Sequence, residues 1–362
     1  MPLARRFFGP SLLLLTACSG GTAPKTAAAP VPAPSVTPAE VMTLLGQLSD
    51  DSLRGRLTGS PGAFKAAVLI AREMQRLGLE PAGDSGYFQR VPLFRVTDTA
   101  GRVRVRLATS WAALDSIPSD RRVWAVNVLG RLPGADPSLA AEHILIDAHY
   151  DHIGAVGDPG NYCRAMGADS ICNGADDDAS GVVATLKVAQ ALRGGSRPKR
   201  TVLFATMTGE ELGLLGAHWY VEHPALPISG LVANLEIEMI GRPDSLAGGA
   251  GKAWLTGYDK STMGDRLAAA GIPLVADPRP DQEFFQRSDN YALALRGVVA
   301  HTLSSFNLHD DYHRATDDIS RVDATHMAAV IDATIRAVRL LADGPPPEWK
   351  PSGRPQPARP VP

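Results

Sequence analysis

The sequence predicts an α/β fold: a mostly parallel central sheet with helices on both faces, in three layers. Three observations carry this expectation. Beyond Pro133, short apolar runs alternate with helical stretches, as parallel strands joined by crossover helices require. The runs are apolar on both faces, which is the mark of strands covered above and below. Histidines and carboxylates stand at or just after the ends of these runs, where open α/β sheets bind their ligands.

The chain of 362 residues is 44% hydrophobic, enough for one large or two medium domains with a substantial core. A formal net charge of -2 gives no electrostatic case for nucleic acid. Residues 1–18 read as an export signal, with Arg5 and Arg6 before an apolar stretch too short to span a bilayer. Leu15-Thr16-Ala17-Cys18 resembles the bacterial lipobox, which implies cleavage before Cys18 and a lipid anchor on its sulfur. The alternative is a plain signal peptide, but Cys18 has no other evident task. Residues 19–37, rich in Ala and Pro, form a linker; a catalytic-sized domain follows over 38–343; the Pro-rich tail 344–362 reads as disordered. Export into an oxidising compartment lets Cys163 and Cys172 pair. Free thiols or soft zinc ligands are the alternatives, and the spacing, which is not CxxC, favours the bridge.

The elements follow in order. Residues 38–48 are helical, and Ser60-Pro61 starts a better helix with serine at the N-cap and proline at the first position. Phe64, Val68, Ala71, Met74 and Leu77 recur on one face, expected to be core, and Gly78 ends the helix. Residues 87–128 are strand-like, with Arg104 and Arg106 on a solvated face, and leave no room for an inserted domain. Strands are then expected at 144–148, 201–206, 231–240 and 298–303, with helices at 181–192 and 212–221. Glu236 and Glu238 share a face of their strand, since side chains alternate with period two. Asp323 caps a last helix that buries Met327, Val330, Ile331, Ile335, Val338 and Leu341.

The chemistry gathers around Asn173-Gly174-Ala175-Asp176-Asp177-Asp178-Ala179-Ser180-Gly181. Three adjacent carboxylates repel one another and persist in an ordered loop only when cations or backbone donors compensate them. Alone, the triplet is a solvated helix cap. In company with His149-Tyr150-Asp151-His152, Glu210-Glu211, Glu236-Ile237-Glu238 and Asp311-Tyr312-His313, it points to a metal site. The DxDxDG spacing of a calcium hand is absent, and histidine ligands suit zinc. His143, His218, His223 and His326 are read as structural.

These segments resemble the co-catalytic two-zinc aminopeptidase family, which includes bacterial leucyl-type aminopeptidases, glutamate carboxypeptidases and glutaminyl cyclases. Arg56-Leu57-Thr58-Gly59-Ser60-Pro61-Gly62 is similar to an opening segment of that family, and the likeness extends over roughly residues 50–320. The resemblance implies that His149 and Glu238 bind one zinc, Glu211 and His313 the other, and that Asp177 bridges them. The family more often has aspartate where Glu238 stands. It further implies that Asp151 orients His149, that Glu210 is the general base, and that Tyr312 donates to the oxyanion. Arg287-Ser288-Asp289-Asn290 is similar to a family segment near the active site, but the family commonly has histidine at the Asn290 position, so these residues are not assigned to the site.

The implied function is that of an exported, lipid-anchored zinc exopeptidase. It would cleave peptides with a free N-terminus, using a metal-bridging hydroxide and two zinc ions per chain. A carboxypeptidase would need a cationic pocket, for which Arg164, Arg242 or Arg287 are candidates. A cyclase-like acyltransferase typically works with one zinc, which the intact His149 argues against. A non-catalytic binding ectodomain would lack ligands or base, and all are present here.

Overall fold

The computed structural model describes Met1 and residues 36–356. The expected export signal, Cys18 and nearly all of the expected linker lie outside the described residues. Thr37 opens α1 (Pro38–Leu48) with a capping box, its side chain accepting from the Glu40 N–H while Glu40 accepts from the Thr37 N–H. Ser60 caps α2 (Pro61–Arg76), with Pro61 at the start. The expected stripe holds at Ala71, Met74 and Leu77, which are buried, but not in the first half of α2, where Ala63, Ala66, Ala67 and Ile70 face the core and Phe64 is 44% exposed and meets Trp124 edge-on. Small alanines permit close helix–sheet approach in the first turns, and Phe64 is turned outward.

The strands are β1 (Glu80–Pro81), β2 (Phe88–Arg90), β3 (Leu93–Thr97), β4 (Val103–Leu107), β5 (Arg122–Val123), β6 (Val126–Leu132), β7 (His143–His149), β8 (Thr201–Met207), β9 (Leu231–Glu238), β10 (Ala253–Leu255), β11 (Leu274–Ala276) and β12 (Ala300–Ser304). The remaining helices are α3 (Trp111–Asp115), α4 (Gly181–Gly194), α5 (Leu215–Glu222), α6 (Met263–Ala269), α7 (Asn290–Leu295) and α8 (Ala324–Asp343). At the centre of the sheet β8, β7, β9 and β12 run parallel. Antiparallel strands finish the edges: β6 beside β8 with β1 and β2 beyond it, and β10 beside β12. Strands β4-β3-β5 form a separate antiparallel sheet, so the strand-like segment is divided between two sheets.

The period-two rule divides the centre of the sheet between two cores. Ile144, Ile146 and Ala148 with Ala233, Leu235 and Ile237 pack under α1, α2, α4 and α8. Leu145, Leu203, Ala205 and Met207 pack against α5 and α7 on the other face. By the same alternation His149 shares that second face with Asp147, and Glu238 shares it with Glu236. Asp323 caps α8 through the N–H groups of Thr325 and His326. Cys163 and Cys172 are joined by a disulfide.

The expectation of a disordered tail fails for residues 344–356. Trp349 is half-buried, donates through its indole to the Gly297 carbonyl, and lies against Phe285 and His301. Lys350 pairs with Asp265 at 2.7 Å. One aromatic anchor offsets the poor packing of a proline-rich segment.

Arg56 ties the layers to the loops above the sheet. It is 1% exposed, and its guanidinium donates to the carbonyls of Leu48, Tyr150, Asn173 and Gly174. These acceptors come from the end of α1, the segment after β7 and the turn before the acidic triplet. Arg56→Met should lower the unfolding free energy by about 3 kcal/mol or more, because each stranded buried carbonyl costs about 1–3 kcal/mol. Denaturant titration would measure this, and a loss under about 1 kcal/mol would contradict the role given to the guanidinium.

Candidate active site

Three parallel strands and two loops deliver the site, one loop before α4 and one, carrying Tyr312 and His313, after β12. β7 ends on His149, β8 runs into Gly209-Glu210-Glu211, β9 ends on Glu238, and the segment before α4 carries Asp177. Gly181 at the head of α4 allows this segment to approach the sheet, since a Cβ there would collide with the Ile237 carbonyl and the Asp178 carboxylate. Asp178 joins three of these carriers, accepting from the N–H groups of His149, Gly181 and Met239 at 3.3, 3.0 and 3.0 Å. Asp176 accepts from the Gly241 N–H at 2.6 Å, and Asp317 accepts from the N–H groups of Asp176 and Asp177. The flanking aspartates of the triplet therefore hold backbone, and the middle one is left free for chemistry.

Asp177 faces two clusters with its two oxygens. Oδ1 lies 3.3 Å from His149 Nε2, and Oδ2 lies 3.3 Å from His313 Nε2. Ligand atoms of His149, Asp177 and Glu238 fall within 4.8 Å of one another, and so do those of His152, Asp177 and Glu211. His313 joins the second group, 3.1 Å from Glu211 Oε2, while Glu211 Oε1 is 2.7 Å from His152 Nδ1. Every residue expected to bind metal is thus brought together. His152 is an addition: it stood in the motif but was not assigned, although two histidines flanking an aspartate were its signal. Glu236, with the right residue type and the right face, is occupied elsewhere. It accepts from the Ser288 hydroxyl, from Thr302 Oγ1 at 2.7 Å and from the N–H groups of Asp289 and Asn290. The unassigned segment 287–290 therefore does reach the neighbourhood of the site, as the support of Glu236 and, through Arg287, as part of the cavity wall.

Asp151 sits differently from the expectation. Its backbone carbonyl, 3.1 Å from His149 Nδ1, is closer to the ring than its carboxylate at 3.9 Å. The carboxylate instead accepts from the Thr58 hydroxyl at 2.7 Å and from the Glu210 N–H at 3.2 Å. It thereby positions the loop carrying Glu210 and Glu211. Tyr312 stacks on His313 with ring centroids 3.9 Å apart and lines the cavity beside Asp177, Glu210 and Glu238. His313 itself has φ 56, a left-handed conformation that non-glycine residues rarely hold outside constrained sites. Of the histidines read as structural, His326 is buried, accepts from the Gly251 N–H and meets the Ser305 hydroxyl, away from this cluster.

The electrostatics of the metal-free cluster are unfavourable. Burial, then Glu238 and Glu211, hold the Glu210 carboxyl well above the usual range against the opposing pull of His149. Burial and Glu236 push Glu238 up to about 8. Burial opposes charge on His313, but the Asp177 and Glu211 carboxylates outweigh it and raise its pKa to about 10. Buried charges of this density require compensating cations. His149 Nε2, His313 Nε2 and Asp177 Oδ2 are buried without a hydrogen-bond partner, and imidazole with carboxylate is a donor set that zinc takes. The residues fit two zinc ions.

A pH test follows. Glu238, raised from 4.5 to about 8, and His313, raised from 6.5 to about 10, both bind protons more tightly in the folded state. Their stabilising contributions are complete below the unfolded values and are lost as pH rises through the folded ones. The melting temperature of chelator-treated protein should therefore fall between about pH 5 and about pH 9, and zinc should flatten the fall. A metal-free melting temperature that rises across that window would contradict the arrangement.

The model of the family described as Peptidase family M28 matches residues 127–338, more than half of the chain. The chain is similar to the probable leucine aminopeptidase 2 of Aspergillus fumigatus, 36% identical over 256 residues covering 69% of this chain and 43% of the relative. It is also similar to the vacuolar membrane protease of Candida dubliniensis, 28% identical over 224 residues. That match covers 60% of this chain, which spans only 21% of the relative's length. Among solved structures, an aminopeptidase from an Aneurinibacillus species superposes with a TM-score of 0.60 at 16% identity, covering 88% of this chain and 97% of that one, a likeness of fold. The sheet order, the clustered metal donors and the matched span agree, and the chain belongs to Peptidase family M28.

Proposed function

We propose that this protein is an exported zinc aminopeptidase, with His149, Asp177 and Glu238 at one metal and Asp177, Glu211 and His313 at the other. The observation that carries the reading is Asp177, whose two oxygens each lie 3.3 Å from a different histidine. His152 buttresses Glu211 from behind at 2.7 Å. Zinc bound there would lower the pKa of a water to about 7 and polarise the scissile carbonyl.

The chain's own residues do the rest. Glu210 takes the proton from the attacking water and delivers it to the leaving amine. Burial makes it a stronger base than an exposed glutamate, and its Oε2 stands 3.8 Å from His149 Nε2. It cannot also serve as ligand beside Glu211, because adjacent side chains diverge and its backbone N–H is held by Asp151. Tyr312 remains protonated, since burial first and Asp177 next raise its pKa, so it can donate to the oxygen that becomes negative. Glu210 and Glu238 offer negative potential to the free α-ammonium of a peptide. Arg242, a candidate partner for a substrate carboxylate, is committed to Asp311 at 2.5 Å and Asp317 at 3.2 Å.

Membrane attachment is part of the proposal and rests on the lipobox-like Leu15-Thr16-Ala17-Cys18. No helix among the described residues is long and apolar enough to cross a membrane. Loss of Cys18→Ser protein from the membrane fraction would support the anchor, and unchanged retention would contradict it.

Glu210→Gln should retain both zinc ions by metal analysis while kcat falls by about 10²–10⁴-fold, the usual scale for a lost proton shuttle. Near-normal turnover would remove Glu210 from that role. On a pentapeptide, N-acetylation should slow cleavage strongly and C-terminal amidation should not. The reverse pattern would make the protein a carboxypeptidase.

A further inference from the structure

The cavity beside the metal donors looks, at first, made for an aliphatic side chain. Met239, Trp254, Phe284, Phe306 and Tyr312 wall it, together with Arg287 and with the carboxylates of Asp177, Glu210 and Glu238 that serve the metals and the reaction. Two donors of this wall have no partner. Trp254 is 2% exposed, and its indole Nε1 has no acceptor among the described residues. A buried donor without an acceptor is costly and uncommon, so whatever enters is expected to supply one. Arg287 is exposed and stacks on the Phe284 ring at 4.9 Å, and no described carboxylate lies within ion-pairing distance of it. Among the described residues it is the only lysine or arginine on the cavity wall. Arg242 and Arg279, also near the site, are paired, the first with Asp311 and Asp317 and the second with Asp244. A guanidinium carries a planar fork of N–H donors, which suits two-pronged binding of a carboxylate.

We infer that this cavity selects substrates carrying a carboxylate near the scissile bond, held by Arg287 with Trp254 as the second donor. The inference rests on the aminopeptidase reading above. Two sources present the same chemistry at this distance: the side chain of an N-terminal acidic residue, or the C-terminal carboxylate of a dipeptide. Neither source needs a change in the roles of Glu210 or the metal donors. Leucyl substrates would still be cleaved, without the added discrimination.

The test compares zinc-loaded wild type, Arg287→Gln and Trp254→Phe on glutamyl-, glutaminyl- and leucyl-p-nitroanilide, on leucylglycine and on leucylglycinamide. Arg287→Gln should lower kcat/KM by about 10- to 100-fold, chiefly through KM, on the carboxylate-bearing substrate alone. Trp254→Phe, which keeps a ring in place, should lower it by about 3- to 10-fold on the same substrate. Loss confined to glutamyl-nitroanilide identifies the side chain as source; loss confined to leucylglycine identifies the C-terminus. Equal effects on all five substrates, or none, would overturn the inference. Binding supplies a readout apart from turnover. L-glutamate and leucylglycine are titrated calorimetrically into zinc-loaded Glu210→Gln protein, with and without Arg287→Gln. Weaker binding of either when Arg287 is changed supports the carboxylate site even if no substrate is cleaved, in which case the aminopeptidase reading fails alone. Unchanged affinity for both would overturn the site while leaving that reading intact.

Discussion

Mutual repulsion among buried carboxylates is the constraint on which this structure depends. Asp177, Glu210, Glu211 and Glu238 converge in a largely buried cluster that water screens poorly, with histidine rings as their nearest counter-charges. The protein lowers part of this cost with backbone. Asp176 and Asp178 are neutralised in effect by N–H donors, and Asp317 caps the N–H groups of Asp176 and Asp177. What backbone cannot reach is the set that points inward, and divalent cations are the chemical answer to it.

A site of this kind demands a rigid rim. The parallel strands supply it by ending together, so that loops from β7, β8 and β9 are held at one edge by the two cores beneath. Arg56 then fastens the loops to α1, and Asp151 fastens the Glu210 loop to the segment after β7. Each fastening uses a buried polar group whose partners are satisfied, which gives specificity of arrangement rather than large net stability.

Much of this was legible in the sequence, for a physical reason. Strands buried on both faces are mostly apolar, so the polar residues at or just after their ends, His149, Glu210 and Glu238, stand out. What was not legible depends on partners distant along the chain. Period two places Glu236 and Glu238 on one face but cannot say which is free; α7 and β12 decide it by occupying Glu236. The first half of the α2 stripe was misplaced because periodicity favours the large residues Phe64 and Val68, whereas the close approach selects alanines. His152 and the carboxylate of Asp151 act through contacts to Glu211, Thr58 and Glu210 that no local pattern announces. Prolines predict a disordered tail, and its first part is ordered by contacts distant in the chain, those of Trp349 with Gly297 and of Lys350 with Asp265.

The central claim is that Asp177 serves two metal ions at once. Anomalous diffraction at the zinc edge, on crystals of protein saturated with zinc, tests it most directly. The account predicts two zinc peaks per chain, roughly 3.5–4 Å apart, on either side of the Asp177 carboxylate. A single peak in fully metallated protein, or two peaks that do not share Asp177, would contradict it.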